Sequence, residues 1–412
     1  MTDKYKHIFE ARKATAAKRK LQVCHVYKVK IVQSKLSKKQ KEQLKMLFVE
    51  AKWIYNNALS FSESNSIYDY NLSDTVSHFD KDKNEVETKL NYISSQMKQS
   101  VLDGIKSSIK MLSTTKSKGQ KVGKLRYLSE YKSINLKQYN KTYKFVGRNR
   151  IKIQRVSGSL LVRGLDQFKS IPNIEYANAK LLNTASGYYI AITTYVSKKQ
   201  KETENDNLIG LDFGCTNTLT TSNGDKFNVI VEETERLKRL QRKLQVKKKR
   251  SNSYNRIKLK LKREYEHISN IKTDKANKLA ALIHSQGRII IQDEQINKWH
   301  QTDLLSGKVQ HSILGRLKTK LMSYSDTIIL SKWLPTTKLC HKCGSKIELK
   351  LSDRQFVCSC GVNQDRDIHA ANNMIFLYKI LVGAGRTDFK RDEKGMLKEI
   401  EAYFEEHEDT TL

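Results

Sequence analysis

The chain has 412 residues, enough for two to four units with cores of their own. Its 77 Lys and Arg against 43 Asp and Glu leave a formal net charge of +34, which favours a polyanion as partner. No run of about 18 apolar residues occurs, so no helix is expected to span a membrane, and six cysteines in this length are not a disulfide framework. The opening residues lack the apolar core of a signal peptide. Four of the cysteines cluster late, a metal pattern, so a reducing, cytoplasmic setting is expected.

Residues 1–20 are basic without apolar periodicity and read as a flexible arm. From Gln22 to Val32 the residues alternate, with Val23, His25, Tyr27, Val29 and Ile31 on one face and Lys28 and Lys30 on the other, as in a half-buried strand. After Ser37, Leu44, Leu47, Phe48, Ala51, Ile54 and Tyr55 recur at helical spacing. Residues 59–126 read as further polar helices, with Val86, Leu90, Ile93, Met97, Val101 and Ile105 as scattered apolar positions. Strand signals return at 148–156, 160–162, 180–182 and 188–196, with turns at Gly158 and Gly187. A β-rich unit is therefore expected from residues 22–33 and 128–196, split by helices. Basic and aromatic side chains on such a sheet suit nucleic acid, and a plain β-barrel with a basic surface fits equally well. Residues 197–207 read as a polar linker.

The stretch Leu208 to Phe227 opens with an apolar run that Asp212 interrupts, and Asn223-Gly224 supplies a two-residue turn. It reads as a hairpin whose first strand carries a lone acid, costly to bury without a cation. Actin-like and chaperone-like ATPases use such a hairpin to hold phosphate; ribonuclease-H-like nucleases use it to hold Mg²⁺. Residues 231–285 read as two basic helices broken near Ser251, and Arg236 to Arg263 contains fourteen Lys or Arg with no acid. A face that positive repels itself, so a phosphate backbone is the better partner. Arg288 to His300 is a second apolar run ending in Gln292, Asp293 and Glu294. Period-two alternation puts Gln292 and Glu294 on one face and Asp293 on the other.

A helix near 312–323 and an apolar run at 327–330 lead to Cys340-x-x-Cys343-Gly344 and Cys358-x-Cys360-Gly361. This is a zinc-ribbon arrangement of four thiolates, with the second pair one residue short, a departure expected to strain that knuckle. A metal-free relic of a ribbon is the alternative. Asp365 and Asp367 open an Ala-rich helix, where an acid is also favoured by the helix dipole alone. From residue 383 the chain turns acidic and reads as a solvated tail.

Three acidic sites in this order resemble the TnpB nucleases of insertion sequences, which are transposable elements, and the related compact type V CRISPR effectors. The resemblance rests on Trp53-Ile-Tyr-Asn-Asn-Ala58, Gly210-Leu-Asp-Phe-Gly214, the Cys340 to Cys360 ribbon and Asp365-Arg-Asp-Ile-His-Ala-Ala-Asn372. The ATPase reading lacks the further Gly-rich phosphate loops it would need.

The resemblance implies a multidomain α/β chain: a ribonuclease-H-like RuvC nuclease domain with a zinc-ribbon insertion, and an N-terminal β-barrel-like wedge domain with a helical recognition insertion. The implied boundaries are wedge 1–48 and 128–205, recognition helices 49–127, RuvC-like 206–334 and 362–380, ribbon 335–361, and acidic tail 381–412. It implies Asp212, Glu294 and Asp367 as catalytic carboxylates holding two Mg²⁺, and Cys340, Cys343, Cys358 and Cys360 as ligands of one structural Zn²⁺. Simple alignment puts Gln292 where the second acid is expected; a two-residue shift keeps the face and favours Glu294, with Asp293 as the alternative. Asp367 fits the third position better than Asp365. The implied activity is Mg-dependent, RNA-guided DNA cleavage beside a short flanking motif, with guide RNA and target DNA as partners, in a nucleoid-associated monomer. A guide-dependent DNA binder acting as a repressor without cleavage is the rival.

Overall fold

Alternating strands in the N-terminal half pair into one antiparallel sheet around a helical insertion. The structure, a computed structural model, describes residues 3–79, 84–119, 121–197, 207–215, 217–299, 303–350 and 353–407. The chain divides into two compact units, Met1–Lys199 and Gln200–Leu412.

In the first unit, α1 (Asp3–Lys20) precedes β1 (Gln22–Ile31), α2 (Lys38–Ser64), β2 (Thr75–Phe79), β3 (Glu85–Lys89) and α3 (Ser95–Ser117). Then come β4 (Ser133–Leu136), β5 (Tyr143–Phe145), β6 (Arg150–Ile153), β7 (Leu160–Arg163), the single turn α4 (Asp166–Lys169), β8 (Glu175–Thr184) and β9 (Gly187–Ser197). Seven strands form one sheet in the order β4-β8-β9-β1-β7-β6-β5, and α2 and α3 share its core. The expected arm is instead helical over α1. Its described side chains are mostly exposed, and Lys18 and Arg19 moor its end to Glu175 at 2.6 and 2.9 Å. Good helix formers suffice there without an apolar stripe.

Ser37 caps α2 with a full capping box through Gln40. The expected run of helices after it is interrupted by the β2–β3 hairpin, so Val86 is an exposed strand residue and no part of a helical stripe. Glu50, buried in α2, accepts hydrogen bonds from the backbone N–H groups of Asn91, Tyr92 and Ile93, which anchors the entry to α3. The expected linker lies mostly outside the described residues.

The second unit opens with β10 (Leu208–Asp212), β11 (Leu219–Thr221) and β12 (Lys226–Phe227), then the basic helices α5 (Glu235–Gln245) and α6 (Asn252–His284). It continues with β13 (Arg288–Gln292), α7 (Ile296–Trp299), α8 (Asp303–His311), α9 (Leu314–Leu321) and β14 (Ile328–Leu330). The ribbon strands β15 (Gln355–Val357) and β16 (Asn363–Asp365) lead to α10 (Arg366–Gly383) and α11 (Glu393–Glu406). The sheet order is β12-β11-β10-β13-β14, with β10, β13 and β14 mutually parallel and β11 and β12 antiparallel. The Asn223-Gly224 turn joins β11 to β12, not the acid-bearing strand to its partner, so three strands stand where a two-stranded hairpin was expected.

Ile289 and Ile291 pack with α6 and α9, while Ile290 packs with α10 on the opposite face. This explains the unbroken apolar run: a parallel strand covered on both faces has no polar side. The C-terminal segment is no solvated tail. Met396 and Ile400 of α11 are buried in the core around α10, and Phe404 packs on Phe376 and Tyr403. Glu401, Glu405 and Glu406 are exposed while Glu399 is partly buried and pairs with Arg386 at 2.6 Å; Glu408 and Asp409 lie outside the described residues.

Candidate functional site: three carboxylates and a four-cysteine cluster

Parallel strands deliver their C-terminal ends to one edge of a sheet, where ligands of open α/β sheets bind. Asp212 is the last residue of β10. Glu294 lies two residues past β13, and Asp367 is in the first turn of α10, which packs against β10. The packing is close because Gly210 has no side chain: a Cβ there would lie 1.8 Å from the Ala371 carbonyl oxygen. Glycine lets the helix backbone approach the strand and brings Asp367 toward Asp212.

The three carboxyls lie near enough for charge to act between them, without being gathered as tightly as a preformed metal cage among the described residues. Burial pushes the Asp212 carboxyl well above the usual range, and the charges of Glu294 and Asp367 push it further, against Arg366. Burial pushes Glu294 up to about 7, opposed by Lys318. One Glu294 oxygen, Oε2, is buried without a hydrogen-bond partner. A buried carboxylate left unsatisfied beside like charges is a costly arrangement that a hard cation would relieve. Hard oxygen donors of this kind fit Mg²⁺.

The second acid reaches the site differently from the expected alternation. The strand ends at Gln292, and the Glu294 N–H donates to the Gln292 carbonyl at 2.9 Å in a tight turn. Gln292 does not share the environment of Glu294. Its side-chain amide is buried, donates to the carbonyls of Ser331 and Leu334, and accepts from the Thr336 hydroxyl. Asp293 is half exposed and pairs with Lys318 at 3.1 Å. Lys318, buried on α9, also donates to the Glu294 carbonyl oxygen, so one lysine pins the turn that presents Glu294.

At the third position the two aspartates have separate jobs. Asp365 is the N-cap of α10, accepting from the N–H groups of Asp367 and Ile368, and it pairs with Lys226 at 2.6 Å. Part-burial opposes its ionisation, yet Lys226 and those N–H groups hold its carboxyl below the usual range. Asp367 carries no such bond and is left to face Asp212.

The four cysteine Sγ atoms all lie within 4.8 Å of one another, the one group of three or more metal-ligating side chains so gathered among the described residues. Cys340 and Cys360 are 3.5 Å apart, as are Cys343 and Cys358. Each pair sits on a turn closed by a left-handed glycine. Gly344 (φ 72°) donates to the Cys340 carbonyl four residues back, and Gly361 (φ 90°) donates to the Cys358 carbonyl three back. The shortened second pair is absorbed by a tighter turn. The cluster fits a tetrahedral zinc site. Cys358→Ser is expected to release about one zinc per chain and loosen residues 335–361. Metal analysis of the intact protein that finds none would make the cluster a relic.

Sequence reasoning missed His369 and Asn373, which lie one turn apart on α10. His369 is fully buried, stacks on Phe356 of the ribbon at 3.6 Å and bonds the Leu339 carbonyl; burial pulls its pKa down to about 4. Asn373 donates to the carbonyls of Thr336 and Leu339. Together they fasten the ribbon to the helix that carries Asp367. The signal was a polar pair at i, i+4 in an otherwise Ala-rich helix.

Residues 191–297 match the family described as a probable transposase, OrfB of IS605, and residues 312–374 match the Cas12f1-like TNB domain. A Streptomyces pristinaespiralis protein named as an RNA-guided DNA endonuclease is 28% identical over 40% of this chain and 44% of its own length. InsQ of Escherichia coli K12, also named as an RNA-guided DNA endonuclease, is 25% identical over 51% of this chain and 60% of its own. The chain thus spans about half the length of these relatives. A solved complex of Cas12f1 with sgRNA and target DNA aligns over 82% of each chain at 13% identity and a TM-score of 0.43. The transposase and Cas12f1-type domain matches lie in succession and both relatives carry the same kind of name, so the chain is similar to the TnpB-like proteins.

Proposed function

We propose that the chain is an RNA-guided DNA endonuclease that hydrolyses phosphodiesters beside a short flanking motif, with Asp212, Glu294 and Asp367 holding two Mg²⁺ ions. The observation that carries this reading is that separate segments bring Asp212, Glu294 and Asp367 to the carboxyl edge of one sheet, near enough for the charges of Glu294 and Asp367 to raise the pKa of the Asp212 carboxyl, with one Glu294 oxygen unpartnered. Bound there, the ions would activate water and neutralise charge on the phosphate. The protein's part is placement. Gly210 sets the distance between β10 and α10, Lys318 fixes the turn bearing Glu294, and Lys226 with the helix N–H groups engages Asp365, whose charge still reaches Asp212. The sheet order and the two-sided cover of β13 support a ribonuclease-H-like assignment. The cations of α5 and α6 suit an RNA or heteroduplex backbone, the sheet of the first unit suits a wedge, and α2, α3 and the β2–β3 hairpin suit recognition. A monomer associated with the nucleoid fits these roles.

Two measurements test this reading. Protein purified from its host should carry a discrete structured RNA, released steeply by salt; only heterogeneous fragments would remove the guide from the account. The acids give a second, independent readout. Glu294 has a folded pKa of about 7 against an ordinary 4.5. The folded state therefore binds that proton more tightly, and this stabilisation is complete below about 4.5 and lost as pH rises through about 7. At pH 8 Glu294 is ionised in a buried site, and Mg²⁺ should raise the melting temperature. At pH 5, with Glu294 protonated, Mg²⁺ should change it less. A melting temperature indifferent to Mg²⁺ at pH 8 would contradict the site.

A further inference from the structure

The loop after β14 displays a tryptophan that the reading so far leaves without a role. Ser331 and Leu334 are buried at 4% and 3% exposure, while Trp333 between them is 59% exposed. The Lys332 ammonium lies 4.2 Å from the Trp333 ring centroid. The loop is held at both ends: Gln292 donates to the Ser331 and Leu334 carbonyls at 3.0 and 2.8 Å, and the Ser331 N–H donates to Phe389 at 2.7 Å. An exposed indole on a fixed loop keeps its place at little entropic cost.

Its location follows from topology. β14 is parallel to β13, which is parallel to β10, so the loop leaves the same sheet edge that carries Asp212. Two strand spacings separate β14 from β10, about 10 Å. The residue that anchors the loop, Gln292, ends the strand that leads into Glu294.

We propose that Trp333, with Lys332, is a stacking platform for an unpaired nucleobase of the DNA strand being cut, next to the scissile phosphate. A flat ring beside an ammonium is the chemistry that holds single-stranded nucleic acid, with the base on the indole and its phosphate on the lysine, without regard to sequence. A base still paired in a duplex could not stack there, so the platform selects an unwound strand. This inference rests on the nuclease reading of the same sheet edge.

The test compares guided DNA cleavage by wild type, Trp333→Ala and Trp333→Phe, each on intact DNA and on DNA made abasic at nucleotides flanking the cut. Trp333→Ala should lower kcat/KM roughly ten-fold, mostly through KM, and Trp333→Phe should recover most of it. An abasic nucleotide at the stacked position should cost wild type the same factor and cost Trp333→Ala nothing further. The exposed position should leave the melting temperature and zinc content unchanged. Trp333→Ala indistinguishable from wild type, or abasic and alanine losses that multiply, would overturn the platform while leaving the nuclease intact. No cleavage by wild type on any guided substrate would remove both.

Discussion

Replacing Gly210 with alanine is expected to cost the protein both stability and activity, although Gly210 touches no substrate. The new Cβ would lie 1.8 Å from the Ala371 carbonyl oxygen and 2.8 Å from its carbon, both backbone atoms of α10. Neither side can yield easily. Gly210 pairs with Ile290 of β13, and its carbonyl accepts from Ser222 while its N–H donates to the Ser222 hydroxyl. The helix must therefore move by more than an ångström, taking Asp367, one turn earlier, away from Asp212. Overpacking of this kind costs about 3 kcal/mol or more, and a displacement on the order of 1 Å at a reacting centre costs about a hundred-fold in rate. Thermal melting and a cleavage rate on the same preparation check both; an unchanged melting temperature would mean that α10 sits elsewhere.

Glu294→Gln is expected to reduce cleavage by about a thousand-fold, since an acid that holds cations contributes several kcal/mol to the transition state. Asp293→Asn should stay within about ten-fold of wild type. Its carboxylate is half exposed and serves an ion pair with Lys318, and such pairs contribute about 1 kcal/mol or less. Gln292→Ala should act mainly on stability, because it removes three buried hydrogen bonds, leaving the Ser331 and Leu334 carbonyls with one backbone donor each and the Thr336 hydroxyl without its acceptor. The order of these three effects on cleavage rate separates the residues. Asp293→Asn inactive with Glu294→Gln active would shift the acid by one position.

Much of the second unit was legible because its signals are local. The apolar run Ile289 to Ile291 is a strand, the two basic helices break just before Ser251, and the two Cys pairs followed by Gly bring four thiols together. What escaped depended on contacts remote in sequence. The β2–β3 hairpin reads as weak helix because its exposed Val86 and Glu87 carry no clear alternation. The C-terminal segment looked solvated because its acids outnumber its basic residues, although Met396, Ile400 and Phe404 are enough to seat it on α10. Period two correctly separates Asp293 from Glu294 but fails as the reason, because the chain leaves the strand at Gln292 and turns. No local pattern tells that a lysine on α9 will pin that turn. The distinction between Asp365 and Asp367 likewise waits on Lys226, which lies 139 residues away in the chain.

Cleavage of DNA matched to the co-purified RNA tests the central claim most directly, run in Mg²⁺ with wild type and Asp212→Ala side by side. Wild type should cut matched DNA and spare unmatched DNA. Asp212→Ala should bind the matched DNA with affinity close to wild type and leave it whole, because the proposed role of Asp212 is to hold cations and not the duplex. Matched DNA bound but uncut by wild type in either Mg²⁺ or Mn²⁺ would contradict the account and leave a guided binder.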